Sequence, residues 1–193
     1  MPGAEAPPTL QDTLVGKELP KAGIRIDGNF EDWSGILPVF SHKGTARKGN
    51  LAIDKIFLAV DEKNLYMRFD VKDATPSSLF HPHNFDAYHN SSYGVDLQNG
   101  MKHLVAQITY DVQAGRYFVE VVKLANRSSQ SIDKTYGNFA MKGSSVEVSF
   151  PLETIKKSLG MPAVGGYIVT GRDGYTDKAW IDGDRTTPRV LIF

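Results

Sequence analysis

A chain of 193 residues is long enough to bury a sizeable core and defaults to one domain. Its 22 basic and 22 acidic residues cancel, so no overall field draws it to nucleic acid or to an anionic membrane. It has no cysteine, which excludes disulfides, thiolate catalysis and cysteine-ligated metal, and no run approaches the roughly 20 apolar residues of a membrane helix.

In chain order, residues 1–19 are rich in Pro, Gly and polar residues and carry no long apolar periodicity. They read as a flexible tail or linker, without the basic and apolar regions of an export signal. Residues 20–193 read as a single domain. It opens on "GIRIDGNFEDWSGI" (23–36), where Asp27-Gly28 suits a tight turn: Asp bonds local backbone and Gly accepts positive φ. Trp33 follows, either as a core plug whose indole nitrogen needs one acceptor or as a platform for a sugar.

Strands come next. In "DKIFLAVDEKNLYMRFDVKD" (54–73), Leu65, Met67, Phe69 and Val71 alternate with Tyr66, Arg68, Asp70 and Lys72, placing the first set in the core and the second in water. Ile56, Leu58 and Val60 form the partner strand, joined through "DEKN". "KHLVAQITYD" pairs with "RYFVEVVKL", and "YGNFAM" pairs with "SSVEVSF", in which Val146, Val148 and Phe150 are in phase. "GGYIVTGRDG" and "PRVLIF" are late strands. Only "PLETIKKSLG" reads as a helix, with Pro151 near its start and Gly160 as its C-cap. Many short strands with one short helix predict an all-β protein, an antiparallel β-sandwich of jelly-roll-like form.

"IRIDGNFEDW", the hairpin at 54–73 and "SSVEVSFPLETI" together resemble family 9 carbohydrate-binding modules and DOMON-like relatives. The likeness spans most of residues 24–193. It implies a β-sandwich, a carbohydrate partner and an extracellular or periplasmic setting. Sugar-binding members of that group clamp their ligand between two tryptophans, with acidic, amide and arginine partners. Trp180 matches the C-terminal clamp by position. The other has no tryptophan counterpart in residues 74–92; Phe80, Phe85 or Tyr88 there, or Tyr93 just after, stands in its place.

The residues themselves point the same way. Trp180 and Tyr175 lie in "GRDGYTDKAWIDGDRTTPRV", which reads as a polar loop with Arg172 beside it. Rings stack on sugar C–H faces while charged and amide groups take the hydroxyls. The candidate sugar-binding set is therefore Trp180, Tyr175, Phe85, Tyr88, Tyr93 and Arg172, with Trp180 as a core or rim aromatic the competing reading. Two metal readings accompany it. His81, His83, Asp86 and His89 within "FHPHNFDAYH" suit zinc, copper or nickel, or else form a solvated loop. Asp177, Asp182 and Asp184 offer hard oxygens for a structural calcium, as do Asp61 and Asp73 flanking the first hairpin, without EF-hand spacing.

No nucleophile elbow, zinc-protease helix or phosphate-cradling loop occurs, so a non-enzyme is expected. The function expected is a non-catalytic carbohydrate-binding module. Two alternatives stand beside it. One is a haem-binding DOMON-type redox domain drawing on Met67, Met101 or Met141, although alternation sends Met67 to the core. The other is a structural or assembly domain of a bacterial envelope protein, one part of a larger multidomain chain.

Overall fold

The computed structural model describes residues 16–41, 53–71, 92–111, 113–125, 128–160, 164–172, 175–180 and 190–192. Among them, strands β1 (Gly16–Glu18), β2 (Phe40–Ser41), β3 (Ile53–Val60), β4 (Asn64–Val71), β5 (Ser92–Asn99), β6 (Lys102–Asp111) and β7 (Arg116–Ala125) come first in the chain. They are followed by β8 (Ser128–Thr135), β9 (Phe139–Lys142), β10 (Ser145–Pro151), helix α1 (Leu152–Leu159), β11 (Val164–Arg172), β12 (Tyr175–Trp180) and β13 (Val190–Ile192). The larger sheet runs β1-β13-β11-β5-β6-β7-β8, with β12 also on β11; the smaller runs β2-β3-β4-β10-β9. Every pairing is antiparallel except β1 with β13. The protein is an all-β sandwich, as its alternating strands predict. No helix among the described residues is long and apolar enough to cross a membrane.

Alternation explains which side chains meet between the sheets. Ile56, Leu58, Met67, Phe69, Val148 and Phe150 face Val95, Leu97, Leu104, Ala106, Val119 and Val121 in one continuous core. α1 caps an end of that core with Leu152, Ile155 and Leu159, its apolar stripe at helical spacing. Gly160 closes the helix at φ 71°, its amide bonding the Lys156 carbonyl at 2.8 Å.

Three expectations change. Residues 16–19, assigned to the tail, belong to the fold: β1 pairs with β13, and Leu19 is buried in the core. Tyr175 and Trp180, expected in a loop, bound strand β12, whose register sets Trp180 opposite Tyr167 and Tyr175 opposite Arg172. Tyr93 is no loop aromatic either. It lies in β5, wholly buried, its ring stacked on Phe69 at 5.2 Å.

A fourth correction concerns the smaller sheet's second face. Period two sends Tyr66, Arg68 and Asp70 into water, yet Tyr66 is buried, and so are Phe57, Ala59, Glu147 and Ser149 in the same phase. The chain from Pro20 to Ile36 lies over them. It enters along β3, with Ala22 N donating to Val60 O (2.9 Å) and Val60 N to Pro20 O (3.0 Å). It then packs Ile24 and Trp33 on Phe57, Ala59 and Tyr66 as a second, smaller core.

Candidate functional site

The covered face is built around one carboxylate. Glu147 projects from β10 opposite Arg68 and has no exposed surface. Its Oε1 accepts from the amides of Asp27 (2.9 Å) and Gly28 (2.7 Å), and its Oε2 accepts from Trp33 Nε1 (2.9 Å). That is the single acceptor the indole requires, and the same carboxyl group takes the two turn amides on its other oxygen. The turn is prepared locally. Asp27 Oδ1 accepts from Asn29 N (2.8 Å), Gly28 sits at φ 78°, and a 3-10 turn over Phe30–Trp33 brings the indole back over the sheet.

Beside it the Arg68 guanidinium lies 4.6 Å from the Phe30 ring centre and 4.9 Å from that of Phe57. It grips Asp70 through two bonds (2.8 and 3.0 Å), and Asp70 Oδ1 accepts from Ser145 Oγ at 2.6 Å. All these groups are spent on one another. This face closes the fold, and the cavity at its edge is lined by Lys21, Ala22, Gly23, Val60, Asp61, Glu62 and Lys156. Trp33 is structural, as the turn motif predicts.

Asp61 is likewise a turn residue. Oδ1 accepts from the amides of Lys63 (2.7 Å) and Asn64 (2.6 Å), and Oδ2 from the Tyr66 hydroxyl (2.6 Å). Both oxygens thus accept bonds within the turn; Asp73, the other acid of the calcium reading at this hairpin, lies outside the described residues. Burial pushes the Asp61 carboxyl up, but the bonds from Tyr66, Lys63 and Asn64 outweigh it and hold it below the ordinary value of 3.8. A depressed carboxyl stabilises the fold above its unfolded pKa, and the gain is lost as pH falls through the folded one. Asp61→Ala should therefore be less stable than wild type at pH 7, with the gap narrowing once pH drops below about 4. Urea unfolding at several pH values reads this; a gap independent of pH would refute it.

The second candidate is the outer face of the larger sheet, where Asp96, Thr109, Phe118 and Val122 are buried and Tyr136 is exposed. Register lines Gly94, Gln107, Glu120 and Lys134 in a row across β5, β6, β7 and β8. Gln107 Nε2 donates to Glu120 Oε1 at 2.7 Å. Nearby, His103 Nε2 lies 3.2 Å from Asp96 Oδ1, and Asp96 is only 4% exposed. Rings border the polar row: Phe118 and Tyr136 meet edge to face at 6.0 Å, and Tyr136 is 42% exposed. Gly94 is required by the sheet itself, because a Cβ there would meet the Ala106 carbonyl oxygen and Gln107 Cβ at 2.8 Å. Amide, carboxylate, imidazole and aromatic groups on one rigid face can hydrogen-bond hydroxyls and stack on a ring.

The sequence reading named none of Gln107, Glu120, His103, Asp96 or Tyr136. Their signal was available as the polar phase of "KHLVAQITYD" and "RYFVEVVKL", but a polar phase ordinarily means only a wet face. Of the predicted set, Trp180 and Tyr175 lie on β12 and Arg172 on β11, strands of this same sheet. Tyr93 belongs to the core. Phe80, Phe85 and Tyr88 lie outside the described residues, as do His81, His83, Asp86 and His89, and Asp182 and Asp184. Asp177 stands in β12 opposite Thr170. Of the methionines, Met67 is buried in the core, Met141 packs against it, and Met101 stands fully exposed in the turn after β5.

No family model, no curated protein and no solved structure matches the chain.

Proposed function

We propose that the protein is a non-catalytic carbohydrate-binding module of an extracellular or periplasmic protein, reading a glycan on the outer face of its larger sheet. The observation that carries this is the Gln107–Glu120 pair. Gln107 Nε2 occupies one carboxylate oxygen, while Glu120 Oε2 and Gln107 Oε1 have no partner among the described residues. Both are acceptors suited to sugar hydroxyls, and they stand on the same face as Phe118 and Tyr136. β12, which carries Tyr175 and Trp180, extends the same sheet through β11. A rigid sandwich gives such a site its geometry, and binding needs no movement of the frame. A structural calcium at Asp177, Asp182 and Asp184 belongs to the same reading.

Affinity electrophoresis through gels containing neutral and acidic polysaccharides tests it. Retardation on at least one gel is expected, weakened about tenfold by Glu120→Ala or Trp180→Ala, as expected for loss of a hydroxyl acceptor or a stacking ring. Free migration through every gel would end the proposal.

A further inference from the structure

We infer that the glycan carries an acidic group and that Arg116 and Lys134 bind its oxyanion, an inference resting on the carbohydrate reading above. Two cations converge on one exposed ring. Arg116 Cζ lies 3.5 Å from the Tyr136 ring centre, and Lys134 Nζ lies 5.3 Å from that centre and 3.9 Å from that of Phe118. Sharing a ring at those distances, they stand closer together than the screening length of about 10 Å in 0.1 M salt, so they repel.

Two carboxylates face them, Asp111 and Glu120, and neither forms a close ion pair with Arg116. Asp111 reaches Lys134 only at 4.0 Å. It stands opposite Arg116 in register, yet no carboxylate among the described residues forms an ion pair with Arg116. Glu120, opposite Lys134, is bonded to Gln107. An oxyanion would take the Arg116 donors that no carboxylate among the described residues engages.

Geometry favours the same ligand. Cation–π contact with Tyr136 holds the guanidinium in place while its N–H edge remains available for a two-pronged grip on a carboxylate or sulfate. The exposed Tyr136 ring adjoins the polar row, so a sugar spanning the row brings its charged substituent to Arg116. A uronate carboxylate and a sugar sulfate share this chemistry.

The full-length protein is run through gels containing polygalacturonate, heparin or neutral xylan. Retardation by one or both acidic polymers is expected, weakened about tenfold by Arg116→Gln or Lys134→Gln and unchanged by Lys123→Gln, an exposed cation elsewhere on β7. Polygalacturonate alone identifies the carboxylate; heparin alone identifies the sulfate. Retardation by xylan that survives Arg116→Gln, with none by the acidic polymers, overturns the oxyanion site and leaves the carbohydrate reading standing. Equal weakening by Lys123→Gln overturns it as general charge attraction. Free migration in all three gels defeats both.

Discussion

Glu147→Ala is expected to lower the unfolding free energy by about 3 kcal/mol, since two buried donors and one part-buried donor lose their acceptor together and each buried orphan costs roughly 1–3 kcal/mol before relaxation. The donors are the amides of Asp27 and Gly28 and the indole of Trp33, all bonded to one side chain without solvent access. Glu147→Gln keeps the volume and one carbonyl oxygen for the turn amides but sets an NH2 against the indole N–H. About half the loss is expected there. Trp33→Phe removes the third donor, so adding it to Glu147→Ala should cost much less than it does in the wild type. Urea unfolding of the four variants measures both the loss and the coupling. A loss under about 1 kcal/mol would mean that residues 20–36 are held by something other than this carboxylate.

Phe69→Ala should cost about as much, roughly 3–5 kcal/mol, by a different mechanism. Phe69 is buried without exposed surface, and its ring stacks on Tyr93 across the sandwich at 5.2 Å with 29° between planes. Truncation removes the transfer energy of the ring and leaves a cavity that two hydrogen-bonded sheets cannot close. It also strands one face of Tyr93, whose hydroxyl pKa burial drives strongly upward. Met101→Ala, on a fully exposed side chain, should stay within about 0.5 kcal/mol and serves as the contrast. A Phe69→Ala variant with an unshifted urea midpoint would show that the two sheets do not depend on each other there.

These two residues also mark how far the sequence could be read. Phe69 was legible as core because Leu65, Met67, Phe69 and Val71 keep strict alternation, and a one-residue slip would turn all four outward. The same rule located the hairpins β3–β4, β6–β7 and β9–β10 and the direction of the apolar phase in β10. Proline and glycine bracketed α1. β8 escaped notice because "SSQSIDKT" has no apolar phase; its strand conformation comes from backbone pairing with β7. Tyr175–Trp180 escaped for a related reason, since Asp, Lys and Thr resemble loop chemistry until β11 supplies a partner.

Glu147 was legible only in part. Local chemistry called for an acceptor near Trp33, but no spacing rule joins residue 33 to residue 147.

From the sequence alone came the strands, the turn at Asp27-Gly28, the helix and the need of the indole for a partner, because each depends on neighbours a few residues away. Tertiary structure alone decided which faces stay wet. The phase expected in water on β4 is covered because residues 20–36 cross it, and the polar row of the larger sheet forms because β5, β6, β7 and β8 stand side by side. Both depend on contacts between segments far apart in the chain, where loop closure and strand register, not local preference, determine what meets.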